Sequence, residues 1–113
     1  MHELGILCEV VKTVENFARD NGLTRIDTLV LQIGELTPIV PKYIEDCYPA
    51  AVDRTPLQDM KLKIEIIPGN GMCQNCGKVC NLVENSGKCP SCGGNEFDIL
   101  SGRDFMIKEI IAC

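Results

Sequence analysis

Tryptophan is absent from this sequence of 113 residues, histidine occurs once, and the only other aromatic residues are three phenylalanines and two tyrosines. So few rings offer no platform on which nucleic-acid bases could stack. Basic residues are also in the minority, because 16 aspartates and glutamates outnumber 11 lysines and arginines and leave a net charge of −5. Since nucleic-acid binding depends on lysine and arginine at the phosphates, we expect no nucleic-acid partner.

Long hydrophobic runs are missing as well. A membrane helix needs about 20 consecutive apolar residues, and charged residues interrupt every hydrophobic stretch of this chain. The opening MHELGILCEV has neither the basic region nor the cleavage site of a secretory leader. The eight cysteines therefore favour a reducing compartment over a secreted disulfide framework. We expect a soluble cytoplasmic protein without a membrane segment.

Apolar periodicity predicts two helices. The first is indicated by residues at helical spacing and ends at Asn21-Gly22. The second should begin at Pro41, because proline suits the first position of a helix, and Pro49 should kink or divide it before residues 50–52 resume it. The residues that form the apolar stripe of the first helix are Leu4, Leu7, Val11, Val14 and Ala18, with Val10 and Phe17 widening it.

Three strands are predicted, over residues 28–33, 61–66 and 105–111. The second alternates strictly between apolar and charged residues, which places Leu62, Ile64 and Ile66 on a buried face. Between the second and third strands, residues 70–94 lose all apolar periodicity and are rich in glycine, asparagine and cysteine. We therefore expect an α+β fold, in which a small β-sheet has two helices on one face and an inserted cysteine-rich module.

The inserted module carries the strongest motif. Cys73 and Cys76 form one C-x2-C-G pattern, Cys89 and Cys92 form a second, and twelve residues separate the two pairs. Four thiolates suit the tetrahedral coordination of zinc, and a two-residue spacer lets both cysteines of a pair reach one ion. Since four ligands leave no open position for water, this zinc should be structural. A thioredoxin-type dithiol is the weaker alternative, because no helix is predicted after either pair.

The other four cysteines have no such pattern. Cys80 lies near the motif but would break its symmetry, so we interpret it as a spare thiol. Cys8 and Cys47 fall in predicted helices and are most simply small buried hydrophobic residues. Cys113 is terminal.

The single histidine, His2, directly follows the first residue. A lone histidine is usually an ordinary surface or capping residue, but this position permits more. The terminal amine, the His2 amide nitrogen and the imidazole can close fused chelate rings around one ion, as suits square-planar Ni(II) or Cu(II). The helix dipole repels a cation there, so the deprotonated amide and Glu3 must offset that repulsion. The position predicts a moderate, exchangeable metal site.

Four motifs occur in order along the chain: Met1-His2-Glu3-Leu4, Gly34-Glu35-Leu36, the two cysteine pairs, and residues 102–109, which read GRDFMIKE. Taken together, these motifs resemble the HypA/HybF family of hydrogenase-maturation nickel chaperones over nearly the whole chain. Pro49 and the four additional cysteines lie outside the shared pattern.

The resemblance implies a metallochaperone rather than an enzyme. Ni(II) would be transient cargo at Met1, His2 and Glu3, and Zn(II) would be structural at Cys73, Cys76, Cys89 and Cys92. Residues 1–69 with 100–113 would form an α/β nickel-binding domain, and residues 70–99 the zinc-binding module. The implied partners are a HypB-type maturation GTPase, the [NiFe] hydrogenase large subunit and, in some relatives, urease maturation factors. The chain would be a monomer or a homodimer.

Two other function classes fit parts of the sequence. A zinc-ribbon protein–protein adaptor explains the cysteine pairs equally well but gives His2 no role. An enzyme is disfavoured, because the sequence has no second histidine, no nucleophile motif and no phosphate-binding glycine loop. Nickel binding at the amino terminus separates the chaperone from the adaptor.

Overall fold

The computed structural model describes residues 2–112, apart from the side chain of His2. In chain order the elements are α1 (His2–Asp20), β1 (Ile26–Gly34), α2 (Pro41–Val52), β2 (Lys61–Ile67), β3 (Asn70–Cys73), β4 (Val79–Asn81), β5 (Phe97–Ile99) and β6 (Phe105–Ala112). The strands form two three-stranded sheets, with the orders β2-β1-β6 and β4-β3-β5. The predicted α+β class, with two helices, small sheets and a four-cysteine module, is confirmed.

The chain packs into two compact units. Unit 1 comprises Met1–Leu31, Pro38–Glu65 and Met106–Cys113, and unit 2 comprises Gln32–Thr37 and Ile66–Phe105. Unit 1 contains both helices, and unit 2 contains the β4-β3-β5 sheet. Across residues 2–112, neither helix combines the length and the apolar character that a membrane span requires.

Helix α1 buries most of its predicted apolar stripe, since Leu7, Val10, Val11, Val14 and Ala18 are all buried. The prediction for Phe17 is wrong, because its side chain is 43% exposed. Each helical residue turns the chain by about 100°, so Phe17 lies at the edge of the stripe in the last turn. The helix ends at Asp20, and Gly22, whose φ of +65° suits glycine, lies in the turn that follows. There the Leu23 N–H donates to the Ala18 carbonyl at 2.8 Å.

Helix α2 runs unbroken from Pro41 to Val52, so the prediction that Pro49 divides it is wrong. Proline at this position removes one donor, close to the end of the helix, where few backbone bonds depend on it. Burial of Ile44, Cys47, Tyr48, Ala51 and Val52 stabilises the helix. The Tyr48 hydroxyl also donates to the Met60 carbonyl at 2.8 Å, and burial raises the pKa of Tyr48 to about 12.

The central strand of the first sheet is β1, and its alternate residues Leu29, Leu31 and Ile33 are at most 1% exposed. Strand β2 lies at an edge of that sheet. Leu62 and Ile64 are only half-buried, and Ile66 is 48% exposed, so the prediction of a buried Ile66 is wrong. An edge strand has a neighbour on one side only, which leaves its apolar face less covered than strict alternation suggests.

Candidate metal centre

The four cysteines of the two C-x2-C pairs converge on one point. The Sγ atoms of Cys73, Cys76, Cys89 and Cys92 all lie within 4.8 Å of one another. The Sγ–Sγ distance is 3.5 Å both for Cys73 with Cys92 and for Cys76 with Cys89. Four thiolates at about 2.3 Å from a tetrahedral ion would lie roughly 3.8 Å apart. The donor set and its spacing therefore fit a structural zinc ion.

Each pair is held by the same backbone pattern. The N–H of the glycine after the pair donates to the carbonyl of the first cysteine at 2.8 Å, from Gly77 to Cys73 and from Gly93 to Cys89. These glycines have φ values of +77° and +75°, a conformation that L-residues with a side chain rarely adopt. The glycine that follows each pair in the sequence is therefore required by the turn that aims both thiols inwards.

The first cysteine of each pair is buried and the second is exposed. Cys73 ends β3 and is 1% exposed, and Cys89 is 3% exposed. Strand β3 pairs with both β4 and β5, with Cys73 opposite Phe97. These strands were not predicted, because three or four residues rich in glycine and cysteine carry no readable alternation. The small sheet fixes one end of the metal centre through β3.

Hydrogen bonds favour the thiolate form of two of the four cysteines, Cys89 and Cys92. The Asn75 side chain, the Gly94 N–H and the Cys73 thiol lower the pKa of Cys92 to about 6. Backbone N–H groups of Cys92 and Ser91 lower the pKa of Cys89. Since zinc binds the thiolate, these donors stabilise the zinc-binding form of Cys89 and Cys92, whereas the hydrogen bond with Cys89 raises the pKa of Cys76 to about 12.

Among the remaining cysteines, the buried position of Cys47 is confirmed. The prediction for Cys8 is wrong: its side chain is exposed on α1, because position 8 faces away from the apolar stripe. Cys80 is half-buried and does not belong to the four-sulfur group, as expected for a spare thiol. Cys113 lies outside the described residues.

The predicted nickel residues are only partly visible. Met1 and the side chain of His2 lie outside the described part of the chain. Glu3 is buried, with 8% exposure, and its Oε2 accepts a hydrogen bond of 3.4 Å from the Val40 N–H. Val40 is the N-cap position of α2 and provides no side-chain cap of its own. Glu3 therefore places a carboxylate at the positive end of α2.

Glu35 has a position that the sequence did not reveal. Its Oε1 accepts hydrogen bonds from the Gly69 N–H at 2.8 Å and from the Asn81 side-chain amide at 2.9 Å. The Asn81 Oδ1 in turn accepts from the N–H groups of Val83 and Glu84. Glu35 thus connects the end of β1 to the residue before β3 and to Asn81, which lies between the two cysteine pairs, all within unit 2. The sequence marks Glu35 only as part of the Gly34-Glu35-Leu36 motif and contains no signal for partners 34 and 46 residues away.

Glycine is required at positions 34 and 102, where backbone segments near Glu35 pack closely. A Cβ atom on Gly34 would collide with the backbone of Gly102, and Gly102 itself has a φ of +87° and packs against Pro68 and Gly69. The Leu36 N–H also donates to the Gly102 carbonyl at 2.7 Å. The glycines of two motifs, Gly34-Glu35-Leu36 and Gly102-Arg103-Asp104, therefore meet where three backbone segments of unit 2 pack closely.

We predict that Glu35→Ala releases zinc faster than the wild-type chain, by roughly two- to tenfold, because it loses the hydrogen bonds from Gly69, just before the module, and from Asn81 within it. Transfer of zinc to a chromogenic chelator measures the rate. Glu35→Gln keeps an acceptor oxygen and should lie between the two proteins. An unchanged rate in Glu35→Ala would contradict the anchoring role.

The Glu35 contact should also depend on pH. The Asn81 and Gly69 donors hold the pKa of Glu35 below that of an ordinary glutamate. A lowered pKa means that the charged carboxylate contributes stability at neutral pH and loses it only when the pH falls through the folded-state pKa. The difference in stability between wild type and Glu35→Gln should therefore be constant near pH 7 and vanish in acid.

Comparison with known proteins gives consistent matches over the whole length. The family model described as hydrogenase/urease nickel incorporation, metallochaperone, hypA matches residues 1–112. The hydrogenase maturation factor HypA of Geobacter metallireducens is 36% identical over 110 residues, which cover 97% of each chain. The HypA of Dechloromonas aromatica is 33% identical over 110 residues, with the same coverage.

Solved structures share the fold. The solution structure of the Ni metallochaperone HypA from Helicobacter pylori aligns with a TM-score of 0.67 and 18% identity, covering 97% of this chain and 96% of that one. A second structure, described as the solution structure of HypA protein, aligns with a TM-score of 0.71 and 19% identity. It covers all of this chain and 97% of its own. At these identities the structural likeness supports the fold alone.

Proposed function

This chain belongs to the HypA family of nickel-incorporation metallochaperones for hydrogenase, and from that premise we propose that it carries Ni(II) at its amino terminus. As a member of that family it is a metallochaperone and not an enzyme. We further propose that Met1, His2 and Glu3 hold the nickel and that Cys73, Cys76, Cys89 and Cys92 hold zinc. Residues 1–69 with 100–113 then act as the nickel-binding domain and residues 70–99 as the zinc-binding module.

The closed shell of the cysteine centre supports a separate nickel site. Four thiolates complete a tetrahedral zinc site and leave no position for a second ion or for an exchanging ligand. Such a site is structural and binds too tightly to serve as a source of metal for another protein. Cargo that must be handed on therefore needs a different set of ligands, and the amino-terminal nitrogens provide one that suits square-planar Ni(II).

The environment of Glu3 is the main observation that supports this proposal. A buried carboxylate is normally paired, well hydrogen-bonded or bound to a metal. Among the described residues, the contact found for Glu3 is the 3.4 Å hydrogen bond from the Val40 N–H, which is longer than a strong one. A nickel ion held by the neighbouring amine and imidazole would supply the missing positive charge. In that arrangement the Glu3 carboxylate offsets the positive charge of the nickel ion, and Glu3 remains at the start of α2.

Delivery completes the proposed function. A HypB-type GTPase docks on the nickel-loaded chain, and the hydrogenase large subunit then receives the ion through ligands that compete with the amino-terminal chelate. A moderate site of nitrogen ligands releases its ion to such competitors more readily than a thiolate cage does. Urease maturation factors are the second proposed recipient, and the cytoplasm is the proposed location of the transfer.

Complementation of cells that lack this gene tests the function. With limiting nickel, the wild-type gene should restore [NiFe] hydrogenase activity, whereas His2→Ala should restore roughly a tenth or less. Excess nickel in the medium should rescue the variant, because the loss concerns metal supply. Cys8→Ser, which changes an exposed residue of the same helix, is the matched control. Full activity of His2→Ala under limiting nickel would contradict the proposal and favour a zinc-ribbon adaptor.

A further inference from the structure

Unit 1 contains a cavity that the nickel function does not use. It has a volume of about 300 Å³ and lies at the carboxyl-terminal end of α1, a size at the lower limit of small-ligand sites. Three of its apolar lining residues, Ala18, Ile26 and Leu57, are at most 9% exposed. Because these residues belong to the core, the floor of the cavity is rigid. Leu23 and Pro56 complete the apolar surface.

Two arginines and one glutamate also line the cavity. Arg19 donates to the Asn16 Oδ1 at 2.8 Å and lies 3.9 Å from the Asp20 carboxylate, so its position is fixed from one side. Arg25 is exposed and belongs to none of the ion pairs between described residues. Glu15 is the one acid in the lining, and Asp20 offsets the charge of Arg19, so Arg25 is the cation that remains for an anionic ligand.

The carboxyl end of α1 repels a bound anion less strongly than the carboxyl end of a helix usually does. The carboxyl end of a helix has negative character because its last carbonyls lack partners. Here the carbonyls of Phe17, Ala18 and Arg19 accept hydrogen bonds from the N–H groups of Asn21, Leu23 and Gly22, respectively. The Asn21 side chain donates to the Phe17 carbonyl as well. These bonds satisfy the carbonyls of Phe17, Ala18 and Arg19 and reduce the negative character of this end of the helix.

We propose that this cavity binds a carboxylate carried on a short branched aliphatic group. The aliphatic part would lie against Ala18, Leu23, Ile26 and Leu57, and the carboxylate would accept hydrogen bonds from Arg25. A guanidinium can bind a carboxylate through two parallel N–H donors, which fixes its direction as well as its charge. An apolar floor with a few convergent polar groups is the usual composition of a ligand site.

Two sources present this chemistry: the carboxyl-terminal leucine of a peptide, and a free branched-chain carboxylic acid. N-acetyl-leucine represents the first and 4-methylpentanoate the second. N-acetyl-leucinamide has the same aliphatic group without the charge. For ligands of about ten non-hydrogen atoms, dissociation constants of roughly 1 mM are expected, so chemical-shift titration of the full-length, zinc-loaded protein is the suitable measurement.

We expect both acids to shift the amide signals of residues 18–26 and 56–57, whereas the leucinamide shifts none of them. Arg25→Gln should weaken binding about tenfold. Arg103→Gln removes the same charge from an exposed residue of unit 2 and should leave the affinity unchanged. Tighter binding of N-acetyl-leucine would identify a peptide terminus as the source, and tighter binding of 4-methylpentanoate would identify the free acid.

Three results would overturn the inference. The leucinamide could bind as well as the acids, which would make the cavity merely apolar. Arg25→Gln and Arg103→Gln could weaken binding equally, which would indicate a general effect of net charge. Finally, the shifted signals could lie elsewhere in the chain. Arg25 is exposed, so its substitution should leave the fold intact.

Discussion

Cys73→Ser should purify with almost no zinc and with residues 70–99 unfolded. Serine offers a hydroxyl that binds zinc far more weakly than a thiolate, and the side chain of Cys73 is only 1% exposed at the end of β3. Structural zinc contributes about 10–16 kcal/mol of apparent binding free energy in small zinc domains. Within residues 70–99, all of which the structure describes, the buried side chains are those of Cys73 and Cys89, so apolar packing contributes little stability there.

Metal analysis and amide spectra test this prediction together. We expect about one zinc per wild-type chain and collapse of the amide dispersion of residues 70–99 in the variant. Cys80→Ser is the matched control, because Cys80 lies in the same module but outside the four-sulfur group. Retention of zinc by Cys73→Ser, or loss of zinc from Cys80→Ser, would show that the ligand assignment is wrong.

Four glycines placed ahead of Met1 should lower the affinity for Ni(II) about 100-fold. The proposed chelate joins the Met1 amine to the His2 nitrogens through fused rings, and separating a linked donor forfeits its high effective concentration. A one-residue extension is unsuitable, because an amine two residues before a histidine closes chelate rings of its own. The four-glycine extension removes the amine from reach and leaves the sequence of α1 unchanged.

Equilibrium dialysis of zinc-loaded protein against Ni(II) measures this loss. The same four glycines placed after Cys113 should have no effect on nickel and serve as the control. Zinc content should stay the same in both proteins, because the cysteine centre does not depend on the amino terminus. Equal nickel binding by the two extended proteins would contradict the chelate.

The elements of unit 1 could largely be predicted from the sequence because they follow simple periodicities. The apolar stripe from Leu7 to Ala18 identified α1, and proline at position 41 identified the start of α2. The errors at Phe17 and Ile66 have a common cause: periodicity gives the direction of a side chain but not whether another element covers it. A residue at the edge of a stripe or of a sheet is covered only where the tertiary structure provides a neighbour.

The convergence of the four cysteines was predicted residue by residue, because the spacing within each C-x2-C pair is a local geometric requirement. The strands and hydrogen bonds that hold these cysteines in place were not predicted. The strands β3, β4 and β5 are too short for a pattern, and the Glu35 contacts with Gly69 and Asn81 join residues far apart in the sequence. Long-range hydrogen bonds of this kind depend on the fold and leave no trace in local composition.

Titration of untagged, zinc-loaded protein with Ni(II), beside His2→Ala, decides whether the amino terminus binds nickel. Calorimetry gives the stoichiometry and affinity, and absorption in the visible d–d region reports the geometry of the bound ion. We expect one nickel per wild-type chain with a square-planar spectrum, and loss of that site in His2→Ala while zinc is retained. Equal binding by both proteins, or binding by neither, would show that the amino-terminal chelate does not form.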